Sequence, residues 1–248
     1  MATKAVQGKV VSIYVDHING SPFLQEFEID SQRDDTDVTP FEQDDKEFIT
    51  SAAENDVTLT GFYNGDTQSL DELLFATYGT DDQNVITIFP GGTSSPKQCL
   101  LVPGTQVGMN ISAAADEQVA LEADFKSALV PGWILKSPVP VSATGTGTAL
   151  VQTKVTELGA TACLHVLAIG GTAPPTAVVI EVEESSDGTT WDTVEGLTFT
   201  LDVDDALGGY TAKTLKSLPI EKQLRASHTI TGGTAPSLNY VLSVGRRA

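Results

Sequence analysis

The chain has 248 residues, a formal net charge of −19 and a hydrophobic content of 40%, so it can form two domains with real cores. Lys and Arg total 14 against 33 Asp and Glu, which argues against a nucleic-acid-binding protein, because affinity for phosphates needs clustered basic side chains. No apolar run approaches the ~20 residues of a membrane span, and the N-terminal residues lack the apolar core of a secretion signal.

The negative charge is concentrated in the first half of the chain. Residues 1–140 hold 22 acidic and 7 basic side chains, whereas residues 141–248 hold 11 and 7. One interpretation is that the acidity serves solubility. Another is a surface that repels DNA and lets it slide past, because like charges repel over about one Debye length, ~8 Å at physiological salt.

Apolar and polar residues alternate over residues 9–16, which predicts a strand, and the following Asn19-Gly20 is a turn signal. In the next strand the aromatic and aliphatic residues face one way and the acidic residues the other. We therefore predict a hairpin over Lys9–Asp30 with one apolar and one acidic face. Such hairpins, joined edge to edge between copies, would close a barrel with an acidic lumen. The lumen-facing candidates are Asp16, Glu26, Glu28 and Asp30.

A strongly acidic loop follows at Gln32–Glu47. It has few apolar residues to anchor it, so we predict that it orders only against a neighbouring copy. The candidate contact residues are Asp34, Asp35, Asp37, Phe41, Glu42, Asp44, Asp45, Lys46, Glu47 and Phe48.

The pattern predicts further strands at 57–63, 85–89 and 98–102, the last ending at Pro103-Gly104. Strict alternation also predicts a strand at 117–126 rather than a helix. One helix is predicted at Leu70–Tyr78, because Ser69 and Glu72 form a capping box and Gly79 suits the end of a helix.

An uncharged segment rich in Pro, Gly, Ser and Thr predicts a linker at 141–148, between a first domain at 1–140 and a second at 149–248. Short apolar strands with evenly spaced turns indicate a two-sheet sandwich in the second domain. The sequence GGTAP occurs twice, at 170–174 and 232–236, which predicts two similar hairpin connections.

The chain shows no catalytic or metal-binding signature. Each of His17, His165 and His228 lies alone in a predicted strand, and Cys99 and Cys163 are expected to be buried free thiols. The acids of LDVDD at 201–205 do not follow an EF-hand spacing, although a weak cation site there stays an alternative. We predict no enzyme, no cofactor and no metal; an exposed Trp191 that stacks on a sugar is an alternative.

The succession of acidic loop, DVTPF, DDKEFI and VTLTGFY over residues 34–63 resembles the major tail (tail tube) proteins of long-tailed, siphovirus-like bacteriophages. The resemblance covers roughly residues 4–136. In that family the segment between the early hairpin and the LxGF strand carries contacts between stacked rings. The strings VEESSDGTTWDTV, LRASHTI and SLNYVLSV, within roughly residues 149–247, resemble the immunoglobulin-like decoration domains of phage virion proteins.

The resemblance implies a mainly β chain: a tail-tube-type β-barrel or sandwich with one short helix, followed by an immunoglobulin-like β-sandwich. It implies a structural virion protein, assembled in the host cytoplasm, that forms stacked homo-hexameric rings through which the genome passes without specific binding. Implied partners are other copies and the tape measure, tail terminator and distal tail proteins. The alternatives are another virion component, such as a head decoration or baseplate protein, and a carbohydrate-binding module acting through the second domain.

Overall fold

The computed structural model describes residues 10–32, 35–37, 48–50, 54–152, 158–204 and 207–246; the strands at 35–37 and 48–50 and Glu54 are described by their backbone alone. The protein is mainly β, as predicted, with antiparallel pairing and one helix in the described part. No helix there is long and apolar enough to cross a membrane. The elements are β1 (Ser12–Val15), β2 (Ile18–Asn19), β3 (Leu24–Gln32), β4 (Asp35–Asp37), β5 (Phe48–Thr50), β6 (Glu54–Phe62), α1 (Leu70–Thr77), β7 (Gln83–Phe89), β8 (Gln98–Ser112), β9 (Ala120–Ser127), β10 (Val130–Lys136), β11 (Gly145–Thr146), β12 (Leu150–Val151), β13 (Ala160–Ala173), β14 (Ala177–Ser185), β15 (Asp192–Leu201), β16 (Gly208–Lys213), β17 (Gln223–Thr231) and β18 (Thr234–Arg246).

The chain divides into two compact units, and the division differs from the predicted boundary at 141–148. The first unit comprises residues 1–22, 84–103 and 129–248, and the second comprises 23–83 and 104–128. The physical reason is strand pairing: β10 lies before the predicted linker and pairs with β18, at the end of the chain. Strand β8 contributes its first half to the first unit and its second half to the second, so Pro103-Gly104 does not end it as predicted.

The first unit contains two facing sheets. One has the strand order β16-β13-β18-β10-β8-β7-β1-β2, and the other has the order β11-β17-β14-β15 with β12 also beside β17. Apolar side chains from both sheets meet in a core that includes Leu164, Ile180, Phe199, Leu224 and Tyr240. Because successive side chains of a strand point to opposite faces, each strand gives alternate residues to this core.

The larger sheet curls back on itself. Residues Ala160–Val166 of β13 are buried on both faces, and a second core joins Tyr14 and Phe89, from one end of the sheet, to Cys163 and Val241, several strands away. Such contacts require the sheet to bend until its distant strands face each other.

The two GGTAP motifs lie side by side, at corners where the chain changes sheets. Each connects strands of different sheets, β13 to β14 and β17 to β18, so the predicted hairpins are wrong. Gly171 of the first motif pairs with Pro236 of the second, and Ala173 pairs with Thr234, an arrangement with local two-fold symmetry. Gly171 has φ of +129°, and a side chain there would strike the Ala235 carbonyl, which explains why a corner needs glycine.

The segment predicted as a linker is held along the first unit. Val141 forms a bridge with Leu238, and β11 pairs with β17. The Nε2 of His228 lies 3.0 Å from the carbonyl of Ala143, and the ammonium of Lys136 donates to the carbonyl of Val139 at 2.6 Å. The segment is therefore anchored by backbone hydrogen bonds, although five of its eight residues are exposed.

The second unit is a four-stranded antiparallel sheet with α1. The strand order is β3-β6-β9-β8, the last contributing residues 104–112. Helix α1 begins as predicted: the Ser69 hydroxyl accepts from the backbone N–H of Glu72 at 3.3 Å, and the Glu72 carboxylate accepts from the backbone N–H of Gln68. Leu70 and Leu74 are buried, but Tyr78 is 50% exposed and does not belong to the buried stripe.

Candidate functional site: an acidic sheet face

One face of the second unit's sheet carries a field of carboxylates. The pairing register places Glu28, Thr58 and Asp124 in one row across β3, β6 and β9. Cross-strand partners point to the same face of a sheet, so the neighbouring rows share it. The acidic members are Glu26, Glu28, Asp30, Asp56, Glu122 and Asp124, and Lys126 is the one basic member within the paired positions.

Local partners hold several of these carboxylates in place. The Thr58 hydroxyl donates to Asp124 at 2.7 Å, and the Lys126 ammonium lies 2.6 Å from Asp56. Asp30 stands opposite Asp56 and accepts from the side-chain amide of Gln32 at 2.7 Å. Because both members of the Lys126–Asp56 pair are about half exposed, the pair adds little stability, and the face keeps a strong net negative charge.

The opposite face is apolar and carries the helix. Val57, Leu59 and Phe125 are fully buried or nearly so, and they alternate with the acidic and hydroxyl residues of the same strands. The Thr77 hydroxyl near the end of α1 donates to the side chain of Gln106 at 3.1 Å. Gln106 is the cross-strand partner of Phe125, so α1 lies on the apolar face and the acidic face stays open.

One outer strand of this sheet, β3, has a side without a partner strand among the described residues. Strand β3 pairs with β6 alone, whereas β8 pairs with β7, β9 and β10. A row of unpaired backbone N–H and C=O groups at a sheet edge is a template for pairing with another chain.

Three of the four residues predicted to face the lumen lie on the same face of the second unit's sheet. Glu26, Glu28 and Asp30 lie on the acidic face, and all three are exposed. Sequence reasoning missed their neighbours Asp56, Glu122 and Asp124, because it paired β3 with β1 rather than with β6 and β9. The tight turn occurs earlier than the Asn19-Gly20 signal, at Asp16-His17, so β1 pairs with the two-residue β2 and with β7.

Asp16 is a correction to the predicted set. It is only 8% exposed, and its carboxylate accepts from the backbone N–H of Val85 at 2.8 Å and from the side-chain amide of Asn84 at 3.0 Å. Burial raises the pKa of this carboxyl, and the two hydrogen bonds oppose that shift. Asp16 therefore closes a turn inside the first unit and does not face solvent.

The predicted contact loop lies mostly outside the described residues. This holds for Asp34, Phe41, Glu42, Asp44, Asp45, Lys46 and Glu47. Its flanks are described as a short antiparallel ladder, in which Asp35 pairs with Thr50 and Asp37 with Phe48. The role of the loop between rings stays a prediction.

The Thr87 hydroxyl, the His165 imidazole and the Asp16 backbone carbonyl form a chain of hydrogen bonds inside the first unit. The Nε2 of His165 is 2.6 Å from the Thr87 hydroxyl, and its Nδ1 is 2.6 Å from the backbone carbonyl of Asp16. The three residues are buried, and burial lowers the pKa of His165 to about 4. The neutral imidazole thus connects β13 to β7 and to the turn after β1. Because the imidazole and the Thr87 hydroxyl are both buried, a substrate cannot reach them, and their role is structural.

The remaining candidates for chemistry are also accounted for by packing. Both cysteines are free and buried, and burial raises the pKa of each thiol to about 12, which disfavours the reactive thiolate. No group of three or more metal-ligating side chains occurs in the part of the chain that the structure describes. The guanidinium of Arg225 covers the Trp191 ring at 4.2 Å and pairs with Glu183 at 2.6 Å, which leaves less of the ring for a sugar.

No protein-family model matches the chain, and no curated protein matches it. Three of the solved structures that resemble it come from phage-like particles. A chain of the virion of a native gene transfer agent particle is 15% identical, with 52% of this chain and 98% of that one covered at a TM-score of 0.42. The SPP1 tail tube is 8% identical over 51% and 78%, with a TM-score of 0.43. The SPP1 Dit protein, described as a hub adsorption apparatus of phages that infect Gram-positive hosts, is 12% identical over 96% and 100%, with a TM-score of 0.37. Likeness at this level assigns no function, so the proposal below rests on the chain itself.

Proposed function

We propose that this protein is a structural subunit of a bacteriophage tail, whose copies join into rings that stack as a tail tube. The observation that carries the proposal is the second unit's sheet, which has an acidic exposed face, an apolar face covered by α1, and an outer strand, β3, with a single partner strand in the described part of the chain. The sequence resemblance to tail tube proteins covers this same unit.

The geometry suits a wall of a closed barrel. A sheet whose edges pair with those of neighbouring copies has no exposed edge left, and its acidic face lines the inside when the helix lies outside. A lumen lined with carboxylates repels the phosphates of DNA at short range. The genome would then pass without adhering to the wall.

The first unit has a different role in this proposal. It is a packed double sheet with buried histidines and thiols and no open chemical site in its described residues. We assign it the role of the predicted immunoglobulin-like decoration, although its sheet also includes strands from the first half of the chain. The protein acts by assembly and not by catalysis, with further tail proteins at the ends and interior of the tube.

The test is the state of the purified chain over a range of concentrations, measured by sedimentation and electron microscopy. We expect six-fold rings, or tubes built from them. Single copies at every concentration, or tight binding of duplex DNA, would refute the proposal.

The contact loop is tested separately. Replacing residues 38–47 by a short Gly-Ser turn keeps the paired strands β4 and β5. We expect rings that no longer stack into tubes. Tubes of unchanged length and number would show that the loop does not join rings.

A further inference from the structure

A small cavity lies between α1 and the loop that precedes it in the second unit. It has a volume of about 270 Å³, and its lining includes the rings of Tyr63 and Phe75 and the carboxylates of Asp66, Asp71 and Glu72. No basic side chain lines it in the described part of the chain. Aromatic rings and carboxylates therefore meet at one open cavity, away from the acidic face of the sheet.

The two aromatic rings of the cavity are open to solvent. Tyr63 is 39% and Phe75 is 50% exposed, and their ring centroids lie 6.3 Å apart in an edge-to-face arrangement. Gly65 lets the loop curl close to Tyr63, because its φ is +70° and a Cβ there would lie 3.2 Å from the ring. Leu70 and Leu74 provide the buried side of α1, so the exposed rings are not part of the core.

Asp71 is a buried carboxylate directed at this cavity. It is only 3% exposed, and its Oδ2 accepts from the backbone N–H of Gly65 at 2.9 Å. No described residue donates a hydrogen bond to its other oxygen, Oδ1. A buried carboxylate oxygen without a donor is costly, and the cavity is the side from which a donor can reach it.

The charge around the cavity is negative and is not balanced nearby in the sequence. Asp66 and Glu72 are both exposed, and Glu72 accepts from the backbone N–H of Gln68 through one oxygen. Residues 54–96 contain seven acidic side chains and no Lys, Arg or His. Helix capping and the helix dipole account for Asp71 and Glu72, but they account for neither Asp66 nor the exposed rings.

We propose that this cavity binds an arginine side chain from a basic segment of another protein. A guanidinium is planar, stacks on aromatic rings and has five N–H donors that suit carboxylates. It therefore matches both the rings and the carboxylates of the lining, and it supplies the donor that Asp71 lacks. A metal ion would use the carboxylates alone, because hard cations take oxygen ligands and gain nothing from the rings of Tyr63 and Phe75.

The arginine is assigned to another protein because the described arginines of this chain are already engaged. Arg225 covers the ring of Trp191 and pairs with Glu183, and Arg246 donates to the carbonyl of Glu221. The net charge of −19 also attracts a basic partner. The inference goes beyond the proposed function, because rings can form with the cavity empty.

The experiment measures the binding of a labelled Gly-Arg-Gly peptide with blocked termini by equilibrium dialysis, which works on single copies and on assemblies alike. Two peptides serve as ligand controls: one carries citrulline, which keeps the shape without the charge, and the other carries lysine. The protein variants are Phe75→Ala and Asp66→Asn, and thermal unfolding checks that each folds. Their matched controls are Tyr78→Ala, at an aromatic residue that is also 50% exposed but does not line the cavity, and Asp81→Asn, at an exposed acid.

We expect the arginine peptide to bind more tightly than the lysine peptide and the citrulline peptide not to bind measurably. Phe75→Ala and Asp66→Asn should each weaken binding about threefold, the size expected of one cation–π contact or one exposed ion pair. The two control variants should bind like the native chain.

Three results would overturn the inference. The first is equal binding of the arginine peptide and either control peptide, and the second is Phe75→Ala that binds like Tyr78→Ala. The third is Phe75→Ala that folds but no longer assembles, because the cavity would then be a contact between copies of this chain.

Discussion

Gly209 of β16 packs directly against Asp16, at the turn that follows β1. A Cβ at position 209 would strike the Asp16 carboxylate and stand 2.6 Å from the Cβ of Val85. Strands β16 and β1 lie near opposite ends of the same sheet, so this contact marks the place where the curled sheet nearly closes. The Asp16 carboxylate takes both of its donors from β7, so its contact with Gly209 is one of packing.

The first prediction concerns this contact. Gly209→Ala forces the Asp16 turn or β16 to move, and overpacking of this kind costs about 1–3 kcal/mol of unfolding free energy. Denaturant unfolding measures the loss. Gly170→Ala is the control, because nothing lies within 4 Å of the added Cβ. Equal stability of the two variants would show that the contact between residue 209 and Asp16 tolerates the methyl group.

The second prediction concerns pH. His165 has a pKa of about 4 in the folded chain against 6.5 when unfolded, so the unfolded state takes up the proton first as the pH falls. The stability due to the neutral imidazole is full above pH 6.5 and is lost between pH 6.5 and about 4, by up to about 3 kcal/mol.

Two other groups modify this pH dependence. Burial lowers the pKa of His228, which acts in the same direction, and raises the pKa of Asp16, which opposes the loss at the acid end. Unfolding free energies at pH 7 and pH 4.5 should therefore differ less in His165→Gln than in the native chain. An unchanged difference would mean that His165 does not titrate in this range.

The third prediction concerns the start of α1. Ser69→Ala removes the hydroxyl that accepts from the Glu72 N–H, and the loss of such a cap costs about 1 kcal/mol. Thr67→Ala, two residues earlier and exposed, should leave the unfolding free energy within about 0.5 kcal/mol of the native value. If both variants behave alike, the cap does not stabilise the helix.

The fourth prediction concerns the segment once expected to be a linker. Lys136 lies five residues before its start, and its ammonium donates to the Ser137 carbonyl at 2.7 Å and lies 5.1 Å from the centre of the Tyr240 ring. We expect the native chain to resist trypsin at Lys136, because cleavage needs a locally opened backbone. His228→Ala removes the contact to Ala143 and should speed this cut; rapid cleavage of the native chain would restore the linker hypothesis.

The fifth prediction concerns the acidic face. Changing Glu26, Glu28 and Asp30 together to Lys should create measurable affinity for duplex DNA that falls with added salt, as phosphate contacts do. The control makes the same charge change at three exposed acids elsewhere, Glu117, Asp192 and Glu195. A gel-shift titration should detect tighter binding by the first variant, and equal binding by both would show that net charge alone matters.

Much of the local structure follows from the sequence. Alternation predicted β9 as a strand despite its Ala and Glu content, and Ser69 with Glu72 predicted where α1 begins. The same alternation predicted that Glu26, Glu28 and Asp30 share one face. These features depend on residues close together in the chain, where side-chain period and capping chemistry act directly.

The tertiary structure alone decided which strands are neighbours. Sequence paired β3 with β1 and separated 149–248 from the rest, whereas β3 pairs with β6 and β10 pairs with β18. Asp16 fits the acidic alternation along its strand, yet it is buried because the end of the curled sheet covers it. Strand pairing is set by which apolar faces can be buried together across long separations, and the period of a single strand carries no information about its partner.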